Sequence, residues 1–239
     1  MTTARFVDRR PVLYTMLMTI AMIAVYVLAG AVSAIGHLDK MAQVLLGDTI
    51  LAVMGLRIVA RRGWWQEAGL APAPTATAWA LASVPLLLAF RGLADGVAMP
   101  APGYAVVMLV AALSVGFVEE TFFRGIFMRA LQPMGARAAV AGSTLLFGAM
   151  HALNLLGGQS GLMTAIQIGW AFAVGFCYAT FRLRTRSLWP LIAAHALTDF
   201  VAWLGTAAEP SALSLVSVVV AAAGFLGYGA WLWRSTTEQ

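Results

Sequence analysis

Glu119, Glu120 and Arg124 stand within SVGFVEETFFRG (residues 114–125), a segment that otherwise reads as hydrocarbon. His151, with Asn154 one turn on, and His195, with Asp199, lie in two further apolar segments. An ionised side chain at bilayer depth costs about 2.5–3.5 kcal/mol on insertion scales, so such groups point into a helix bundle and find partners there. Glu120 and Arg124 are spaced i, i+4 with the acid first, the favourable order for a helical ion pair. His195 and Asp199 share that spacing, so one helical face presents imidazole and carboxylate together, and Phe147 lies on one face with His151. Glu119 has no partner in its own helix; the partner expected for it is His151, across the following turn.

A carboxylate and two imidazoles in a dry internal site suit acid–base work on water. One group takes the water's proton, while a second imidazole with a nearby side-chain oxygen polarises a carbonyl and stabilises the oxyanion formed on attack. The chemistry would be hydrolysis of a peptide or amide bond inside a membrane. The same donors, Glu119, His151 and His195, also suit Zn²⁺, which would generate the hydroxide itself. A cofactor-free site is the first choice. Zinc stays open, because both mechanisms need the same residues in the same place.

The elements that must position these groups are membrane helices. Of 239 residues 61% are hydrophobic and 10% charged, and the mean hydropathy of +0.84 lies far above that of a soluble domain. Apolar runs near the length of a bilayer span recur from end to end. The expected fold is an all-α polytopic membrane bundle of about eight transmembrane helices, forming a single integral membrane domain over 1–239. The spans are 12–35, 41–60, 76–92, 104–130, 137–156, 161–182, 187–206 and 211–233. Breakers separate them: Gly63 and the Ala71-Pro72-Ala73-Pro74 run, Pro100 and Pro102, Pro133 with Gly135, Gly157-Gly158, and Pro210. The first run looks a little like a signal peptide but is too long for one, and reads as an uncleaved helix. The single Cys177 excludes an internal disulfide framework and reads as core filling.

Charge tests this division. The net charge of +5 does not point to nucleic acid, because the basic residues lie between apolar runs, where they orient a membrane protein. With the N-terminus in the cytoplasm, 13 of the 15 Lys and Arg residues fall on the inner side: Arg5, Arg9, Arg10, Arg57, Arg61, Arg62, Arg124, Arg129, Arg137, Arg182, Arg184, Arg186 and Arg234. Only Lys40 and Arg91 fall outside. Both termini are expected in the cytoplasm, in a multi-pass protein of the plasma membrane surrounded by lipid. His37 reads as solvated surface beside Asp39 and Lys40, Arg57 can snorkel, and Asp48 reads as a helix-packing group.

Depth is an independent check. Residues 119 and 151 are equidistant from position 135, in the turn joining the fourth and fifth spans, so in an antiparallel hairpin they share one height. With Arg129, Ala139 and Thr185 as entry points, Glu119, His151 and His195 lie about 15, 18 and 15 Å deep, near the bilayer midplane. Three helices deliver titratable groups to one level.

These residues also carry a resemblance. Glu119-Glu120-Thr121-Phe122-Phe123-Arg124 matches the EExxxR motif of the CAAX-processing and bacteriocin-processing (CPBP, or Abi) intramembrane proteases. Phe147-Gly148-Ala149-Met150-His151 matches their FxxxH motif, and His195-Ala196-Leu197-Thr198-Asp199 their HxxxN/D motif. The resemblance covers roughly 104–206, the expected catalytic core. It implies an intramembrane endopeptidase of the type II CAAX prenyl endopeptidase class, acting on a membrane-embedded or lipidated substrate. By that likeness Glu119 and His151 activate the water, and His195 with Asp199 forms the oxyanion side. Glu120 pairs with Arg124 and holds Glu119 in place, with Phe147 in support. Asp199 departs from the Asn of the prenyl-protein proteases; an ionised carboxylate only accepts hydrogen bonds, so Asp199 must be protonated, orient His195 or bind a metal.

Three other readings compete. Gly158-Gln159-Ser160-Gly161 fits a rhomboid-type GxSG pattern, but Ser160 falls at the outer edge, away from His195, and reads as a helix cap. A proton-coupled transporter would also keep Glu, His, Asp and Arg at midplane depth, but no repeat-like symmetry between the halves supports it. A non-proteolytic membrane scaffold or immunity protein would keep the fold alone.

Overall fold

A computed structural model describes residues 6–71, 73–206 and 211–237; Arg5, Pro72 and Pro210, which the sequence reading used, lie outside them. After a single turn at Phe6–Arg9, eight main helices follow: α1 (Pro11–Gly36), α2 (Lys40–Arg62), α3 (Ala76–Ala89), α4 (Pro102–Glu119), α5 (Ala136–Met150), α6 (Gly161–Thr185), α7 (Trp189–Trp203) and α8 (Ala212–Thr237). No strand occurs among the described residues.

Their starts follow from local chemistry. Pro11, Pro102 and Pro190 occupy the first turns of α1, α4 and α7, where a missing N–H costs nothing. The side chains of Asp39, Thr75 and Ser160 cap α2, α3 and α6 by accepting from the main-chain N–H of Ala42, Ala78 and Met163. Ser160 is therefore the cap that its position suggested. Gly63 ends α2 with φ of 71°, a left-handed conformation that glycine adopts without strain.

Among the described residues seven helices are long and apolar enough to cross a membrane, against about eight expected. The exception is α7, whose 15 residues span only about 22 Å against a hydrocarbon core of about 30 Å. Its ends explain the shortening. Before it, Leu188 N–H donates to Gly69 O at 2.9 Å and Trp189 Nε1–H to Leu70 O at 3.1 Å, so the loop after α2 holds its start. After it, Ala98 N–H donates to Leu204 O at 3.0 Å.

The most enclosed span runs from α4 through Met134. Beyond Glu119 the chain widens into a π-helical turn at Glu120–Phe127, every residue of which is buried. A wide turn loosens the main-chain ladder, and Ser143 of α5 donates to the Phe123 carbonyl at 2.8 Å. Large apolar side chains such as Leu87, Val106 and Val219 are exposed on the outer faces, which suits lipid contact. At one end of the bundle Arg62 lies over Tyr14 and Trp64, Arg129 over Trp64, and Arg184 donates to Ser235 O. The start of α1 and the ends of α2, α6 and α8 therefore meet there.

Helix α7 packs tightly against α4 because Gly116 lacks a side chain. A Cβ at this position would lie 2.8 Å from Ile192 O and 3.2 Å from Ala196 N, both main-chain atoms that cannot swing aside. Alanine's helix propensity offers about 1 kcal/mol, whereas overpacking costs typically 1–3 kcal/mol. Gly116→Ala is expected to lower the thermal unfolding temperature of the detergent-purified protein; an unchanged or raised temperature would show that α4 and α7 part without cost.

Candidate active site

Glu120 sits at the bottom of the site with no solvent exposure, and Arg124 is equally buried. The Glu120 Oε1 atom accepts a hydrogen bond from Arg124 Nη1 at 3.0 Å and lies 2.7 Å from His195 Nδ1. A carboxylate only accepts, so Nδ1 carries the proton in that contact. The expected i, i+4 pair is thus present, and it is also the anchor of a histidine from another helix. The Nε and Nη2 atoms of Arg124 have no hydrogen-bond partner among the described residues. Aromatic faces take their place: the guanidinium carbon lies 4.0 Å from the ring centre of Phe147, 5.5 Å from Tyr178 and 5.9 Å from Phe123. Desolvated cation–π contacts of this kind contribute about 2 kcal/mol or more.

Above that buried layer the site opens. The other imidazole nitrogen, His195 Nε2, is 3.5 Å from Glu119 Oε2 and 3.6 Å from Asp199 Oδ2. The Glu119 and Asp199 side chains are 20% and 25% exposed, against none for Glu120, so only the upper carboxylates can meet a substrate or water. In a neutral ring protonated at Nδ1, Nε2 would aim a lone pair at two carboxylates. With protons on both nitrogens the ring donates downwards to Glu120 and presents Nε2–H between Glu119 and Asp199.

His151 opens the 3₁₀ continuation of α5 at His151–Leu155. Its Nδ1 lies 2.8 Å from the Phe147 carbonyl. A carbonyl can only accept, so Nδ1 bears hydrogen and Nε2 of a neutral ring is left as an acceptor. Phe147 stands between the two histidines, its ring centre 5.0 Å from His151 and 6.0 Å from His195, edge to face with both. Asn154 turns to Gln167, donating at 2.7 Å.

One expected contact differs. No ion pair joins Glu119 to His151 among the described residues; the imidazole beside Glu119 is His195. Equal distance from a turn sets height along a hairpin but not rotation about each helix axis. The i→i+5 turn that starts at Glu120 spreads consecutive residues over a smaller angle than an α-helix does, and both carboxylates reach the same ring. Other contributors carried no sequence signal. Tyr178, whose ring centre is 6.2 Å from that of His195, is one aromatic among many in an apolar span, and Gly116 is one of 23 glycines. Among the described residues no three His, Cys, Asp or Glu side chains are arranged to hold one metal ion, and the Nδ1 atoms of both histidines are engaged by protein oxygens.

Residues 101–201 match the family model of Type II CAAX prenyl endopeptidase Rce1-like. The match spans α4 to α7 and so contains every one of these side chains, and it is consistent with a CPBP-family intramembrane protease. No curated protein and no solved structure matches the chain.

Removing one member of a buried ion pair strands the other, at a cost of about 3–5 kcal/mol. Arg124→Met is therefore expected to destabilise the protein by about that amount in thermal or denaturant unfolding. Adding Glu120→Gln to the same chain should recover part of the loss, since no uncompensated charge then remains. A double variant less stable than Arg124→Met alone would show that the pair is not coupled.

Proposed function

We propose that the chain is an intramembrane endopeptidase that hydrolyses a peptide bond of a membrane-associated substrate, with Glu119 as general base. The family match supports an intramembrane CAAX-type endopeptidase in general. The observation that carries the finer reading is the layered site, a partly exposed Glu119 and Asp199 about an imidazole whose Nδ1 is held by a buried glutamate.

In this reading water lies between Glu119 and the open Nε2 of His151. Glu119 takes a proton as the water oxygen attacks the scissile carbonyl carbon. The electron pair moves onto the carbonyl oxygen, and His195 Nε2–H donates to that oxyanion. Removing one preorganised donor of this type raises the barrier by about 2.7–4 kcal/mol. The C–N bond then breaks, and the proton held by Glu119 passes to the leaving amine. An ionised Asp199 has no hydrogen to give an oxyanion; it orients His195. Glu120 and Arg124 hold the ring without touching substrate. The basic helix ends face the cytoplasm, with the substrate entering from the lipid, either as a lipid-modified or as a transmembrane segment.

The test compares purified wild type with Glu119→Ala, His151→Ala and His195→Ala on a set of lipidated and transmembrane peptides, with and without chelator. Loss of a positioned acid or base lowers kcat by about 10²–10⁴-fold, and each variant is expected to show it, Glu119→Ala and His151→Ala at near-normal thermal stability and His195→Ala at lowered stability, since it removes a partner of the buried Glu120. Cleavage that persists unchanged in Glu119→Ala and His151→Ala would sink the reading. Loss on chelation of the wild type alone would move the mechanism to metal-activated water. Proton-coupled flux in proteoliposomes without any cleavage would favour transport.

A further inference from the structure

Asp48 lies outside the matched segment, on α2, and is 1% exposed. Its Oδ1 is 3.2 Å from Tyr26 Oη on α1, and its Oδ2 is 2.8 Å from Ser114 Oγ on α4. Ser114 Oγ is also 2.8 Å from the Ala111 carbonyl one turn earlier. Counting protons makes this arrangement informative. A hydroxyl has one hydrogen, so Ser114 cannot give a full bond to both Ala111 O and an ionised Asp48; it could only share that hydrogen between them. Three short contacts need three hydrogens, and Tyr26 and Ser114 supply two.

A neutral Asp48 supplies the third. Its O–H donates to Ser114 Oγ, Ser114 donates to Ala111 O, and Tyr26 donates to Oδ1, leaving every contact satisfied. The charged groups acting most strongly on Asp48 are Glu119 of α4 and Asp199 of α7, both carboxylates. Tyr26 reaches it because Gly47, the preceding residue, lets the ring lie against α2; a Cβ there would be 3.2 Å from the tyrosine Cδ1.

We propose that Asp48 is held as a neutral carboxylic acid and acts as a positioning residue for Glu119, tying α1 and α2 to the turn of α4 just before the general base. The proposal rests on the peptidase reading for its effect on rate, but not for the state of the carboxyl. Glu119 follows Ser114 by little more than one turn, so the chain Tyr26, Asp48, Ser114 and Ala111 fixes the axial position and rotation of the helix that presents it. A neutral acid does this without adding a further negative charge beside Glu119 and Asp199.

Two measurements test it. Infrared difference spectra of the resting wild type against Asp48→Asn at neutral pH are expected to show a protonated-carboxyl C=O band that the variant lacks; absence of that band overturns the proposal whether or not the protein cleaves peptides. In peptide cleavage, Asp48→Asn keeps a neutral donor and acceptor in place and is expected to retain kcat and the pH–rate profile of the wild type. Asp48→Ala deletes the link and is expected to lower kcat roughly 10–100-fold with KM little changed, as displacement of a reacting group by about 1 Å does. Loss of activity in Asp48→Asn as deep as in Asp48→Ala would show that the charge is used and overturn the proposal. If neither the wild type nor any variant cleaves, the peptidase reading fails while the infrared result still decides the state of Asp48.

Discussion

One carboxylate oxygen, Glu120 Oε1, receives both the Arg124 guanidinium and the His195 imidazole, and much of the interior is arranged around that contact. A charge with no solvent exposure must be paired, and the pairing here joins α4 to α7. The guanidinium in turn needs cover, which Phe147 of α5 and Tyr178 of α6 supply with their ring faces. Four helices thus converge because one acid and one base were placed inside. Such a pair contributes little net stability over an apolar equivalent, since desolvation offsets much of the attraction. What it contributes is geometry: a ring fixed at one nitrogen can present the other in a single direction.

That fixed direction divides the two adjacent glutamates. Glu120 lies below the imidazole and is inaccessible, whereas Glu119 lies beside the far nitrogen and is partly open. In an ordinary α-helix neighbouring residues diverge more than this. The π-helical turn lets consecutive side chains address one partner, a device of the kind found mostly at functional sites. Its cost is a weakened main-chain ladder, offset in part by Ser143. The short α7 completes the arrangement. Because loops meet it at both ends, His195 and Asp199 are carried on a helix anchored by protein rather than by its own span of lipid.

The sequence was sufficient for what depends on composition and local spacing. Apolar runs with capped starts and Gly or Pro breakers define membrane helices, because the bilayer demands length and internal hydrogen bonding from any span. The i, i+4 spacings of Glu120 with Arg124 and of His195 with Asp199 are likewise local, and both pairs meet in the structure. The expectation of a common depth for residues 119 and 151 comes from counting along a hairpin. Asp48, too, shows as a misplaced charge in a span, although nothing local names its partners.

Tertiary structure alone decided rotation and contact. Glu119 faces His195 rather than His151 because helix azimuth depends on where the ladder widens and on how closely α7 approaches at Gly116, neither of which a spacing rule encodes. The length of α7 was set by loops more than 80 residues away in sequence, Gly69 and Leu70 before it and Ala98 after it. Tyr178, Tyr26 and Ser114 enter the polar interior through partners on other helices. The two adjacent glutamates that begin as one motif therefore become two different groups only on folding, one sealed beneath an imidazole and the other open beside it, because burial belongs to the packed bundle and not to the chain.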